Sequence, residues 1–544
     1  MGCGPLRLIL LFSCIAFSGC GRNCCERFDG NILRIGNGTE PQTLDPQLAG
    51  DLQQIAIARA LFEGLVLLDE STLRPIPGAA ASWDRSEDGR TYTFHLRPDG
   101  RWSDGSPLTA EDFAYGLRRI LTANLASPTA ELLFPLLGAK AFYNGRAEWD
   151  SVGVAVADPL TLVLTLERPT PYFLSLLSHP AWSPIHRNCV EANGPGTVRD
   201  SLWTRPGRLI SNGPYQLRGW RVGDRVSVEK NPFHRDSDGR GPDEIIFFSI
   251  NDSETEQNAF KNGEIDVTNT IPPNHIGDLR RTDPDTVQEV ESLGVFYYLL
   301  RCDRPPLNDI HLRRALAAAV DRRQLCCLLS RPERFAAGNL VPPGCGSYSY
   351  GGKMQAYDPE LARRELERST FGQSGRKALT LTISSGPQHR LIGQAVQEMW
   401  RKELGIDVKL CSEEWKSFLL TRRSGNFEVA RGGWIGDFDD PTAFLDLFRT
   451  GAVNNFTRWG SADYDGALDA AERDPERRKR YLKKAEEILL DSVPIIALYF
   501  ETGKHRVSPR VVGWKPNLLD YHLYQNLFLQ DIPAKKRGTA SGSD

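Results

Sequence analysis

The sequence predicts an α/β protein of two or three domains, and three observations predict it. The chain has 544 residues, whereas a single hydrophobic core stops growing near ~250–300. Strand-like stretches alternate with helix-like ones over most of that length, the pattern of helices packed on sheets. The composition, 40% hydrophobic and 25% charged, is that of a folded soluble chain.

The elements follow in order. NILRIGNG reads as a short strand, and DLQQIAIARALFEGLVLLDE has apolar spacing compatible with a helix ending near Gly64. TYTFHL alternates as a strand, PDG and SDGSP are turns, and Thr109 followed by Asp112 is a capping-box entry to AEDFAYGLRRIL. VGVAVADPLTLVLTLERPTPYFLSLL repeats strand, turn, strand and then a helix after Pro171. SNGPYQLRGWRVGDRVSVEKNPFHR reads as two antiparallel strands joined near Gly223, the second stopped by Pro232. DEIIFFSI is a strand, SETEQNAFKNGEIDV a helix followed by a strand, and DIHLRRALAAAVDRRQLC one helix. ALTLTISS, LIGQAVQEMWRKELG and IDVKL make a strand-helix-strand unit, and EEWKSFLLTRRSGNFEVARGGW repeats the helix-to-strand step. PERRKRYLKKAEEILLD fits a solvated helix face, and KKRGTASGSD reads as a disordered tail.

Charge and cysteine usage narrow the function classes. The 66 basic and 69 acidic side chains nearly cancel, leaving a formal charge of -3. Nothing there favours a nucleic-acid or polybasic membrane surface. At the start, Arg7 precedes the apolar run LILLFSCIAF, which is too short to span a bilayer and is followed by SGC, the order of an export signal. FSGC resembles the lipobox of bacterial lipoproteins and makes Cys20 the expected lipid-bearing residue; Cys14 follows a shorter apolar run. Eight cysteines remain outside the leader and the lipid position, so disulfides are permitted but not identified. The adjacent pairs Cys24-Cys25 and Cys326-Cys327 lack the spacing of a zinc site. No G-x-x-x-x-G-K-[ST], H-E-x-x-H or G-x-S-x-G pattern occurs, which lowers the case for an ATPase, zincin or lipase. Asp437, Asp439 and Asp440 supply no paired catalytic geometry by themselves.

One stretch stands apart. ARGGWIGDFDDPTAFLDLF spaces Arg431, Trp434 and Asp437 by three residues, with two glycines before the tryptophan, at the expected C-terminal end of a strand. Open α/β sheets commonly bind ligands at that edge. Together with TLDPQLA, LRPDGRWSDGSPLTAEDFAYGLRRI, SNGPYQLRGWRVGDRVSVEKNPF and PPLNDIHLRRALAAAVDR, this stretch resembles the periplasmic oligopeptide-binding proteins of ABC importers, the family 5 extracellular solute-binding proteins, over about residues 31 to 530. The resemblance implies a large three-domain periplasmic-binding-protein fold: two ligand-enclosing α/β lobes plus an additional domain. Residues 1–19 would be the signal peptide and 20–29 a tether. Domain I would combine 30–53, 178–291 and 505–534; domain II would be 54–177, domain III 292–504, and 535–544 the tail. It further implies a monomer without cofactor, metal or catalysis, held to the membrane by its N-terminal lipid, that encloses short peptides between domains I and III. An ABC permease and ATPase complex would be its partner. Narrower binding of dipeptides, murein peptides or another nutrient stays open, as do a secreted hydrolase and an adhesion lipoprotein.

The same resemblance assigns residues. A peptide is a zwitterion with a polar backbone, and each of these groups needs a partner once enclosed. Asp437 would take the ammonium terminus, and Arg431 would receive a carboxylate through its planar fork. Arg422 and His389 match positions that meet the carboxylates of longer peptides, in part through water. For each, a helix-surface role is the alternative. Trp434 and Trp415 match side-chain pocket walls, against a core role. Gly433, with Gly432, would allow close main-chain approach. Phe296 and Tyr297 would line the cleft or fill a strand core. Ile435 stands where some enteric binders carry a bridging cysteine, so that bridge does not carry over.

Overall fold

The computed structural model describes residues 31–531, apart from 200, 240, 330, 375–377 and 437. The expected signal peptide, Cys20 and all of the tail therefore lie outside the described residues, as does Asp437. Three sheets organise the rest. In the first, Ile32–Gly36, Glu244–Phe248, Arg225–Lys230 and Tyr215–Arg221 lie side by side in that order. A four-stranded antiparallel sheet is built from Ala80–Arg85, Thr91–Leu96, Thr161–Thr165 and Val154–Asp158. The third, five-stranded and mixed, has the order Asp407–Glu413, Ala378–Ser384, Val429–Ile435, Val287–Leu300, Ile495–Arg506. The result is the multi-domain α/β architecture that the alternation predicts.

Local chemistry sets most of the boundaries. Asp51 starts the helix Leu52–Leu61 by accepting from Gln54 N, and the Thr109–Asp112 capping box starts Ala110–Leu121. LVLLDE leaves the first of these helices and forms the short strand Val66–Leu68. DIHLRRALAAAVDRRQLC is not one helix: Ile310–Ala318 ends, and Asp321 re-caps Arg322–Leu328 by accepting from Arg323 N and Gln324 N, both at 3.0 Å. GEIDV does not form a strand either. Val267 makes only isolated bridges, to Ile35 and Val507, because Asp266 turns back onto Arg34, whose backbone N and Nη2 both lie 2.9 Å from its carboxylate. The basic helix Arg478–Ser492 is solvated on one side and buries Leu482, Ala485, Leu489 and Leu490 on the other.

Cys189, Cys302, Cys327, Cys345 and Cys411 are free thiols, and burial pushes Cys302 up to about 11. No group of three or more His, Cys, Asp or Glu side chains able to hold a metal occurs among the described residues. No described helix is long and apolar enough to cross a membrane.

The sheets are joined in two different ways. Buried charge ties the antiparallel sheet to the first. Arg119, on the helix packed against the antiparallel sheet, forks onto Asp45 at 2.6 and 3.2 Å with both side chains almost fully buried. Glu63 takes both Nη atoms of Arg235 at 2.6 and 2.7 Å and lies 3.3 Å from His234 Nε2. By contrast, the third sheet is reached through its two long strands. Val287–Leu300 pairs with Ile495–Arg506 from Val287↔Arg506 to Leu299↔Ile495, with its ladder broken between Glu291 and Val295. Val507 then bridges to Val267, and Val267 to Ile35 of the first sheet.

Burial alone would raise the Glu63 carboxyl, but the hydrogen bonds from His234 and Arg235 overcome it and bring it down from 4.5 to about 2. The stability it contributes is complete above pH 4.5 and is lost as the pH falls toward 2. Glu63→Gln is therefore expected to cost about 3 kcal/mol at pH 7. The deficit in calorimetric melting temperature should shrink steadily between pH 4.5 and 2.5, and a deficit independent of pH would contradict this assignment.

Candidate functional site

Val429–Ile435 is the middle strand of the third sheet, yet it is paired unequally. On one side it runs antiparallel to Val287–Leu300 along its whole length, from Leu300↔Val429 to Gly294↔Ile435. On the other it meets Ala378–Ser384 only at Leu381↔Val429 and Thr382↔Ala430. Beyond Ala430 that edge has no strand partner among the described residues, so its backbone donors and acceptors can pair with an extended chain. The two parallel strands beside it end here as well, and each passes directly into a helix, Pro387–Leu404 after Ala378–Ser384 and Trp415–Ser424 after Asp407–Glu413. The second of these helices is capped by the Glu414 carboxylate, which accepts from Lys416 N and Ser417 N.

The two glycines differ in role. A Cβ on Gly432 would lie 2.4 Å from Tyr297 Cε2, so this glycine is required by the ring packed on it. A Cβ on Gly433 would meet nothing nearer than Val295 O at 3.4 Å. Gly433 is the position at which a missing side chain leaves the strand surface approachable.

Arg431 leaves the strand into an aromatic surround, its guanidinium 5.4 Å from the Phe296 ring centroid and 5.6 Å from that of Trp415. Arg422 lies 4.7 Å from the Phe456 ring and 5.8 Å from Phe418. Neither arginine has a carboxylate partner among the described residues, and the Nε of each is buried without a hydrogen-bond acceptor. Both guanidiniums are pulled below the ordinary arginine value, Arg422 by burial and then by its neighbour Arg431. The indole Nε1 of Trp434 is likewise buried and unpartnered. These orphaned donors lie on or beside the motif strand, where the guanidiniums suit an anion flanked by apolar groups.

His389 opens the neighbouring helix. Its ring stacks on Phe296 with centroids 6.0 Å apart, and Nδ1 lies 3.0 Å from Ser384 Oγ. Burial, reinforced by Arg431, brings it down from 6.5 to about 4. Phe296 also stacks on Tyr499 at 4.9 Å, and Gln388 Nε2 donates to the Tyr499 hydroxyl at 3.3 Å.

The structure thus brings Arg431, Trp434, Gly433, Arg422, Trp415 and His389 to one sheet edge. The surroundings also bear on the core and helix-surface alternatives. Trp415 is 47% exposed and is not core. Arg422 is half-buried whereas Arg423 is solvated, and His389 is packed against a ring. Phe296 and Tyr297 are buried strand residues, although one face of Phe296 is shared with Arg431 and His389. Tyr499 escaped the sequence reading because it lies on a strand whose register to Phe296 only the fold supplies. Phe418 could have been found, since Trp415, Phe418 and Arg422 follow helical spacing on one face.

Known proteins match along nearly the whole chain. The profile of the bacterial extracellular solute-binding proteins, family 5, matches residues 74–456. The periplasmic oligopeptide-binding protein OppA of Escherichia coli is 32% identical over 508 residues, 91% of each chain. The E. coli murein tripeptide binding protein MppA superposes with a TM-score of 0.81 at 31% identity, covering 92% of this chain and 98% of its own. Haemophilus influenzae OppA in complex with RPPGFSPFR superposes with a TM-score of 0.79 at 28% identity, over 92% and 99% of the two chains.

With its value depressed to about 4, His389 holds a neutral ring through the physiological range. Its contribution to stability is complete above pH 6.5 and is lost as the pH falls toward 4. NMR of ring-labelled, ligand-free protein should show no His389 titration between pH 6 and 8, and a midpoint near 6.5 would refute the buried geometry.

Proposed function

The chain belongs to the family 5 bacterial extracellular solute-binding proteins, and on that premise we propose that it captures short peptides outside the cytoplasm and delivers them to an ABC permease and its ATPase. The observation that carries this reading is that, among the described residues, the guanidiniums of Arg431 and Arg422 have no carboxylate partner and lie beside a strand edge at Gly433 that has no strand partner. A peptide answers both needs at once, because its main chain pairs with the edge and its C-terminal carboxylate meets an arginine. Asp437 supplies the countercharge for the ammonium terminus. Arg431 serves the shorter peptides; Arg422 and His389 serve longer ones, and Trp434 and Trp415 wall the side-chain pockets. The names of the relatives, which include oligopeptide, dipeptide and murein peptide binders, agree with this ligand class.

In this reading the antiparallel sheet belongs to domain II (54–177) and the five-stranded sheet to domain III (292–504). Domain I combines 30–53, 178–291 and 505–534, and the ligand lies between I and III. Closure follows from tighter binding of peptide to the closed arrangement than to the open one. A monomer tethered through acylated Cys20 completes the picture. Catalysis has no part in it.

Titration calorimetry of the lipid-free protein with di- to pentapeptides should show saturable 1:1 binding with no product formed. A hydrogen bond to a charged group contributes about 1.5–3 kcal/mol, so Asp437→Ala and Arg431→Ala should each weaken binding by about 10- to 100-fold. Absence of binding across a broad peptide set would overturn the proposal, and turnover of peptide at catalytic protein concentration would replace it with a hydrolase.

A further inference from the structure

The segment after Thr161–Thr165 reaches across to the third sheet's lobe. Phe173 is fully buried in the core beneath the antiparallel sheet, with its ring 5.0 Å from Tyr92 and 5.6 Å from Trp182. The adjacent Tyr172 turns the opposite way. Its ring stacks on Phe438 with centroids 4.6 Å apart and planes 12° from parallel. Four residues earlier, Arg168 Nη1 lies 2.6 Å from Glu472 Oε2.

Phe438 begins the turn in which the motif strand ends, and the rest of that turn is held from within its own lobe. Asp439 Oδ1 accepts from Gly346 N at 2.6 Å. Asp440 Oδ1 accepts from Arg478 Nη2 at 2.7 Å and from Thr442 Oγ1 at 2.7 Å. Glu472 is in turn fixed by Arg449, which also binds Asp446 and Asp469. Around these contacts lies a cavity of about 590 Å³. Its wall is formed by residues between Glu131 and Tyr172 on one side and by Glu472 and Arg478 on the other. The contact thus combines a stacked ring and an ion pair beside this cavity, and it joins the antiparallel sheet's lobe to the end of the motif strand.

The antiparallel sheet is tied to the first lobe by the buried Asp45–Arg119 and Glu63–Arg235 pairs, so it moves with that lobe. Any opening between the first and third lobes that carries it along must pull Tyr172 off Phe438. We propose that Tyr172, supported by Arg168, is a closure latch: a positioning residue that grips the end of the ligand-facing strand through Phe438 and slows release of the captured ligand. This rests on the peptide-capture reading. The ring is the main element, because Arg168 is 59% exposed and ion pairs of that kind add little. An offset aromatic contact that forms only on closure is suited to the task, since the closed state gains it and the open state does not.

Stopped-flow binding of a tripeptide, using the full mature chain, tests the latch. Tyr172→Ala should raise the dissociation rate about tenfold with little change in the association rate, and Tyr172→Phe should restore it. Arg168→Ala should change it less than about threefold. Phe438→Ala should match Tyr172→Ala, and the double variant should lose no more than either single one. Melting temperature and circular dichroism of every variant identify any that misfold, and Tyr172→Phe keeps the test decisive if the alanine variant fails to fold. If the wild type binds while Tyr172→Ala releases peptide at the wild-type rate, or if the two alanine losses add, the latch is overturned and peptide capture stands. A wild type that binds no peptide removes both.

Discussion

Two guanidiniums held in an aromatic surround with no carboxylate partner among the described residues constrain the rest of this molecule. Taking a cation out of water is costly unless a counter-charge or an electron-rich face replaces the lost hydration. Phe296, Trp415 and Phe456 supply faces, which offset part of that cost but leave the Nε donors of Arg431 and Arg422 unpartnered. The repulsion between the two arginines adds to it. A fold tolerates such an arrangement only where it is rigid and where something external completes it.

Several other buried charges are met by partners on all sides. Glu486 is fully buried, yet its oxygens accept from Leu340 N, Val341 N, Asn339 Nδ2 and the Tyr348 hydroxyl. Arg313 is buried with its donors on Leu307 O and Ser492 O, and Arg322 is similarly spent on Ala497 O, Ala317 O and Val320 O. Arg59, Arg301, Arg478 and Arg506 also bury one nitrogen without an acceptor, but each keeps another hydrogen-bond partner, whereas Arg431 and Arg422 have none among the described residues. Against that background, the unmet donors at the edge of the third sheet read as a receptor for a ligand rather than as loose packing. Rigidity comes from the two long strands, whose ladder fixes Phe296 and Tyr298 behind the motif strand.

Most of the secondary structure was legible because local signals agreed with the final packing. The capping box at Thr109, the hairpin turn near Gly223 and the alternation in TYTFHL all survive in the fold. Where the reading failed, a side chain had a competing local use. Asp321 broke a continuous apolar pattern by capping backbone amides, and Asp266 was drawn to Arg34 instead of supporting a strand. At the site, the charges and the tryptophans were readable from the motif and its resemblance to a family, whereas the aromatic surround was not. Tyr499 is brought to Phe296 by strand register, and Tyr172 to Phe438 by the packing of separate lobes. Pattern within a window of residues carries neither.

The end of the motif strand shows how non-covalent contacts can do the work of a bridge. Ile435 pairs in register with Gly294, and Gly294 has no room for a side chain, because a Cβ there would lie 2.7 Å from Glu501 Cβ. Two bridging side chains therefore cannot face each other at this point of the ladder. Instead Gly436 N donates to Leu293 O at 2.7 Å, one residue beyond the last register pair. Phe438 is then covered by Tyr172, and Asp439 and Asp440 are tied to Gly346 and Arg478. A disulfide would fix the strand end permanently within one lobe. A hydrogen bond within the lobe and an aromatic contact from outside it divide that task, so part of the restraint on the ligand-facing edge depends on whether the lobes are together. In the proposed capture cycle, then, the order of the binding edge and the closure of the protein are physically coupled.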